Sequence, residues 1–251
     1  MISEILHYLA GGALALVAAS LAMHFGWRSA DRLPGESRWP TCVYCLKPFR
    51  WQDVCPLFGW MLRSDTLNLP CPCGQRKELW ALPLAEFLGF FLGMGAIYLV
   101  GWHPMFIPLC IALGLLVAIA LIDFHFGIIP DGLNLLIAVM GIAWVFMSGG
   151  NIYIALMMVA ALLALGLFCA LVYSRWRGRE MLGLGDVKFF AAAGFWLQPE
   201  MAPWFLAMAG FIGATIGIIN KRITGSEESP FAPSLCAALV ICVLYQISQM
   251  P

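Results

Sequence analysis

Two aspartates stand where apolar segments meet water. Gly183-Leu184-Gly185-Asp186-Val187-Lys188 runs directly into the apolar stretch Phe189 to Leu197, and Asp123 closes the apolar run Ile111 to Ile122. An acid inside a membrane segment is costly, about 2.5–3.5 kcal/mol at a helix centre on the most lenient insertion scale, so such an acid is a functional candidate. Two carboxylates at one depth can divide the work of peptide hydrolysis. One, ionised, takes a proton from water; the other, protonated, donates to the peptide carbonyl. Two like charges in one site cannot both ionise, so the pair shares a proton. Asp186 begins a helix, where the dipole favours an anion, and Asp123 ends one, where it does not. On that ground Asp186 is expected to be the ionised partner. Gly183 and Gly185, without Cβ atoms, admit close approach of another helix or of an extended substrate strand; an ordinary loop-to-helix start is the plainer reading.

Neighbouring residues carry two readings each. Asp131, after Pro130 at a helix start, is either a solvated first-turn acid or a support or substrate contact. Glu86, after Pro83, has the same plain reading, a solvated first-turn acid, beside a functional one. Lys188, about 200° round a helix from Asp186, either snorkels to the interface or reaches the pair. His125, two residues past Asp123, is either a solvated interfacial side chain or a catalytic one.

These groups are positioned by a chain built for lipid. Of 251 residues, 62% are hydrophobic and 11% charged, against about 45–50% and about 25% in soluble domains. The fold class is all-α, a polytopic membrane protein. With formal net charge zero, bulk charge gives no case for nucleic-acid binding. Apolar segments lie near 5–26, 83–101, 104–124, 130–148, 152–173, 186–198, 202–220 and 232–249, predicting about eight transmembrane helices. The sixth, at 1.5 Å per residue, reaches only about 20 Å of a ~30 Å core, which predicts water access at its start. No basic residue precedes the first run, so Ile5 to Trp27 is expected to be a retained helix rather than a cleaved signal.

All 14 Lys and Arg fall in the loops 27–82 and 174–188 or at Lys221-Arg222. With eight spans these lie on one face, and the positive-inside rule makes it the cytoplasm. Asp123, Asp131 and Asp186 then share that face. The domain division follows: a first helix 1–26, a cytoplasmic Cys-rich loop 27–82, and a seven-helix membrane core 83–251. Within the loop, Cys42, Cys45, Cys71 and Cys73 form two close pairs. Four thiolates suit a structural Zn²⁺; free or redox-labile thiols are the other reading. Cys110, Cys169, Cys236 and Cys242 lie in apolar runs and read as small buried hydrophobes.

Together these residues resemble the type IV prepilin peptidases (prepilin leader peptidase/N-methyltransferases), GxGD-type intramembrane aspartic proteases. The resemblance covers nearly the whole chain. It is carried by Asp31-Arg32-Leu33-Pro34, the cysteine pairs, Trp51-Gln52-Asp53 with Pro56 and Trp60, and Pro83 with Glu86. It continues through Ile122-Asp123 with Ile129-Pro130-Asp131, Gly183 to Lys188, and Pro230-Phe231-Ala232-Pro233. It implies that Asp123 and Asp186 are the catalytic pair. It implies an inner-membrane, lipid-embedded enzyme cutting the basic leader of prepilins or pseudopilins at the cytoplasmic face, in pilus or type II secretion systems. It further implies methylation of the new N-terminus from S-adenosylmethionine; Glu86 and the loop 27–82 are the first candidates for that site. The chain departs from the family at Val54-Cys55 and in its shorter second cysteine pair.

A peptidase without methyl transfer fits the same residues. A transporter would use intramembrane carboxylates too, but near mid-membrane and within inverted repeats. A purely structural subunit leaves Gly-Leu-Gly-Asp unexplained. A peptidase must admit an extended segment, which predicts a cytoplasm-facing groove between the spans bearing Asp123 and Asp186.

Overall fold

The computed structural model describes residues 2–30, 81–101, 103, 106–177, 182–225 and 229–249. They form α-helices, with no strand among them. The helices are α1 (Ile2–Ala30), α2 (Ala81–Val100), α3 (Ile107–Phe126), α4 (Asp131–Met147), α5 (Ile152–Arg177), α6 (Leu184–Gly194), α7 (Ala202–Thr224) and α8 (Ala232–Ser248). A single 3₁₀ turn, Pro199–Met201, precedes α7. The all-α expectation holds. Five helices, α1, α2, α3, α5 and α7, are long and apolar enough to cross a bilayer. The remaining three are shorter than the ~20 residues of a full span: α4 and α8 have 17 residues each and α6 has 11. The loop holding Cys42, Cys45, Cys71 and Cys73, with the proposed zinc and the tryptophan-rich stretch, lies outside the described residues.

α3 is apolar on every side, as a helix buried in a protein core or in lipid is. It lies at the centre, packed by α1, α2, α4 and α8. Of its apolar window 72% is buried, against 22% for α5 and 11% for α7, which are peripheral. Lipid offers no hydrophobic drive to helix pairing, so close backbone approach at small residues replaces it. Gly93 on α2 lies against the Gly11 carbonyl of α1, and Gly114 on α3 against the Ala15 carbonyl. A Cβ at either glycine would collide with main chain.

The far end of the bundle is tied by side chains. Trp196 Nε1 donates to the Ile137 carbonyl at 3.1 Å and its ring stacks on Trp144. Gln246 accepts from the Gln198 N–H at 2.9 Å and donates to the Trp196 carbonyl at 3.3 Å. α6 therefore stops early. Gly194 fits against the Val159 backbone, and the chain turns at Phe195 and Trp196 instead of continuing to residue 198.

Candidate active site

Asp123 occupies the last turn of α3. The helix ends at Gly127, whose left-handed φ of 66° lets its N–H return to the Asp123 carbonyl at 2.8 Å, a conformation that suits glycine. Ile128 and Ile129 then lead to Pro130, which is the N-cap of α4 rather than its first helical residue. The Asp123 side chain is buried. Its Oδ2 accepts the Ala232 N–H at 2.9 Å, and the Phe231 N–H also serves it. These belong to the first residues of α8, so Asp123 sits at the C-terminus of one helix and the N-terminus of another. The field of α8 favours an anion there. That removes the asymmetry from which Asp186 alone was expected to be the ionised partner.

Asp186 is the third residue of α6, half-buried. Its Oδ2 accepts the Gly183 N–H at 3.3 Å while its own N–H donates to the Gly183 carbonyl at 3.1 Å. This is the acidic half of a capping box; glycine has no side chain to supply the other half. Gly185 is seated on the Ile129-Pro130 turn, where a Cβ would stand 3.2 Å from that of Ile129. The close approach allowed by the glycine is used by the first aspartate's own connecting segment. Asn134 of α4 is buried and donates from Nδ2 to the Gly185 carbonyl at 3.2 Å. The beginnings of α4, α6 and α8 thus converge on the end of α3. Within this cluster the Asp123 and Asp186 carboxylates are near enough for their charges to act on one another. Cys236, one turn into α8 and buried, lies within the range of both.

The remaining candidates make contacts of their own. Lys188 neither snorkels alone nor reaches the pair; its Nζ meets Asp131 Oδ1 at 2.7 Å, both side chains exposed. His125 is half-buried, with Nδ1 at 2.8 Å from the Leu121 carbonyl. Glu86 is not a solvated first-turn acid. α2 begins at Ala81, which places Glu86 more than a turn inside it, 1% exposed, with Ser20 Oγ of α1 donating to its Oε1 at 2.6 Å. Cys110, Cys236 and Cys242 are buried free thiols, as expected, whereas Cys169 is half-buried. No group of three or more metal-ligating side chains gathers among the described residues.

Sequence reasoning missed Asn134 and the role of Phe231 and Ala232. The signal for the latter was present: Pro233 marks the first turn of a helix, and the free N–H groups there need an acceptor.

The class defined by this fold and site is a helical membrane protein with two interacting carboxylates at one end of its bundle. A profile of the type IV leader peptidase family matches residues 110–218, a range that includes both aspartates. Prepilin leader peptidase/N-methyltransferases are similar over most of the chain. That of Dickeya chrysanthemi is 30% identical over 203 residues, 77% of this chain and 69% of the relative. That of Legionella pneumophila is 28% identical, covering 82% and 71%, and that of Burkholderia pseudomallei (strain K96243) 31%, covering 80% and 64%. This chain therefore spans about two thirds of their length. No solved structure matches it. The chain belongs to the type IV leader peptidase family.

Proposed function

We propose that the chain is an intramembrane aspartic endopeptidase that removes the leader of a type IV prepilin or pseudopilin. The observation that carries this is the convergence of the segments bearing Asp123 and Asp186: Gly185 sits on Ile129 of the turn that follows Asp123, and the two carboxylates lie within electrostatic range of each other. The family match and the names of the relatives support the substrate class. The step needs only water and the peptide. The ionised carboxylate takes a proton from water, whose oxygen bonds to the scissile carbonyl carbon. The protonated carboxylate gives its proton to the carbonyl oxygen. Collapse of the tetrahedral diol breaks the C–N bond, and the leaving amine takes up a proton. In our reading the active end faces the cytoplasm of the inner membrane, by the distribution of Lys and Arg.

N-methylation of the new terminus rests on the relatives' names. S-adenosylmethionine would supply a methyl cation equivalent to the freed amine. The Glu86 carboxylate already takes the Ser20 hydroxyl, so we place it as a candidate near that site rather than as a demonstrated ligand. Structural zinc on Cys42, Cys45, Cys71 and Cys73 is a proposal from sequence, tested by metal analysis of purified protein against the four Cys→Ser changes.

The function is tested by incubating membranes holding this chain with a prepilin and determining the product's N-terminus by mass spectrometry. A shortened product supports the peptidase. An added 14 Da on that product, as one methyl group requires, supports methyl transfer as well. Uncut prepilin beside an active relative used as control would reject the reading.

A further inference from the structure

We infer that Asn134 is a positioning residue for the carboxylate pair, acting through the Gly185 main chain. Three contacts tie the start of α6 to the start of α4 and the turn before it. Gly185 rests on Ile129, Asn134 Nδ2 donates to the Gly185 carbonyl at 3.2 Å, and Lys188 meets Asp131 at 2.7 Å. The ion pair is exposed and therefore weak. Gly185 has no side chain by which to be held. The directional contact, part-buried, is the Asn134 amide, and it grips the peptide unit that joins Gly185 to Asp186. A carbonyl carries two lone pairs, so it can take this donor in addition to its helical one.

The other end of the Asn134 amide strengthens the inference. Oδ1 is buried and has no partner among the described residues. An orphaned buried acceptor is unfavourable, and an apolar side chain of the same size would avoid it. Packing alone therefore does not account for an amide here, whereas the bond to Gly185 does. α4 is also the helix that follows Asp123 through Gly127 to Pro130. The same amide thus links the segment leaving one aspartate to the peptide preceding the other. A displacement of about 1 Å at reacting groups costs on the order of a hundredfold in rate, so losing this bond should appear in kcat.

The test uses the 251-residue chain carrying Asn134→Leu or Asn134→Asp, with wild type and Asp186→Asn beside them. Cleavage is expressed per folded molecule. Asn134→Leu removes the donor and the orphaned acceptor together. It is expected to fold as well as wild type, to lower kcat roughly ten- to a hundredfold, and to leave KM within about twofold. Asn134→Asp places an acceptor against the Gly185 carbonyl when ionised but can donate when protonated. Its activity relative to wild type is expected to recover as pH falls, which Asn134→Leu cannot do. Wild-type kcat per folded molecule in Asn134→Leu, or no pH difference between the two variants, would overturn the inference.

The kinetic arm rests on the peptidase reading. A second readout does not: amide hydrogen exchange of residues 183–190 in detergent. Faster exchange in Asn134→Leu, by about tenfold, supports the clamp, and unchanged exchange overturns it. If wild type cuts no prepilin, the peptidase reading fails and exchange still decides the clamp.

Discussion

Asp123 receives the main-chain N–H of Ala232 at 2.9 Å across 109 residues of sequence. The acid proposed to act on substrate therefore also docks the final helix. Asp123→Asn keeps an acceptor for that N–H, whereas Asp123→Ala leaves it buried and unsatisfied. The loss is expected to be about 1–3 kcal/mol for Ala, and much less for Asn. At about 2–4 °C per kcal/mol for a chain of this size, thermal unfolding in detergent should separate the two variants, although both should lack cleavage. Equal melting temperatures would mean that the bond to α8 contributes nothing to stability.

Gly114 sets the separation of α1 from α3. A Cβ there would meet the Ala15 carbonyl and, at 2.7 Å, the Ala19 nitrogen. These are backbone atoms of a helix and cannot swing aside. Gly114→Val is expected to cost about 1–3 kcal/mol or more through overpacking, read as a lower melting temperature and less folded protein in membranes. Wild-type stability would show that α1 can move away freely.

The all-α membrane class was legible because hydropathy is a local signal. Long apolar runs cannot sit elsewhere, and their alternation placed Asp123, Asp131 and Asp186 at corresponding helix ends. What joins those ends was not legible, because it depends on lateral packing. The bond of Asp123 to Ala232 and that of Asn134 to Gly185 each connect segments that no local pattern relates. Asp131 and Lys188 were weighed separately and prove to be partners. Glu86 was misjudged as a possible solvated acid because Pro83 was taken to mark the helix start; α2 begins at Ala81, and α1 covers the carboxyl.

The Asp131–Lys188 ion pair is exposed on both sides, 72% and 53% respectively. A double-mutant cycle with Asp131→Ala and Lys188→Ala is expected to give a coupling of less than about 1 kcal/mol, shrinking as salt is raised. Cleavage by either single variant should stay within several-fold of wild type. A hundredfold loss in Lys188→Ala would place that amine at the chemistry after all.

Ser20 and Glu86 form a buried polar contact between α1 and α2, at 2.6 Å. Ser20→Ala takes a donor from a buried carboxyl and should destabilise by about 1–3 kcal/mol. Cleavage per folded molecule should stay near wild type, because the proposed step uses only the Asp123 and Asp186 carboxylates, water and the peptide. A fall in cleavage at full stability would tie this contact to the peptidase step.

The most direct test of the carboxylate pair is leader removal by Asp123→Asn and Asp186→Asn, each measured beside wild type in membranes by gel shift. Asparagine keeps the shape of the side chain but cannot exchange the proton the pair shares. Both variants are expected to insert normally and to lose cleavage by at least about a thousandfold, as removal of a participant in the chemistry does. Near-wild-type cleavage by either variant would contradict the assignment of the pair.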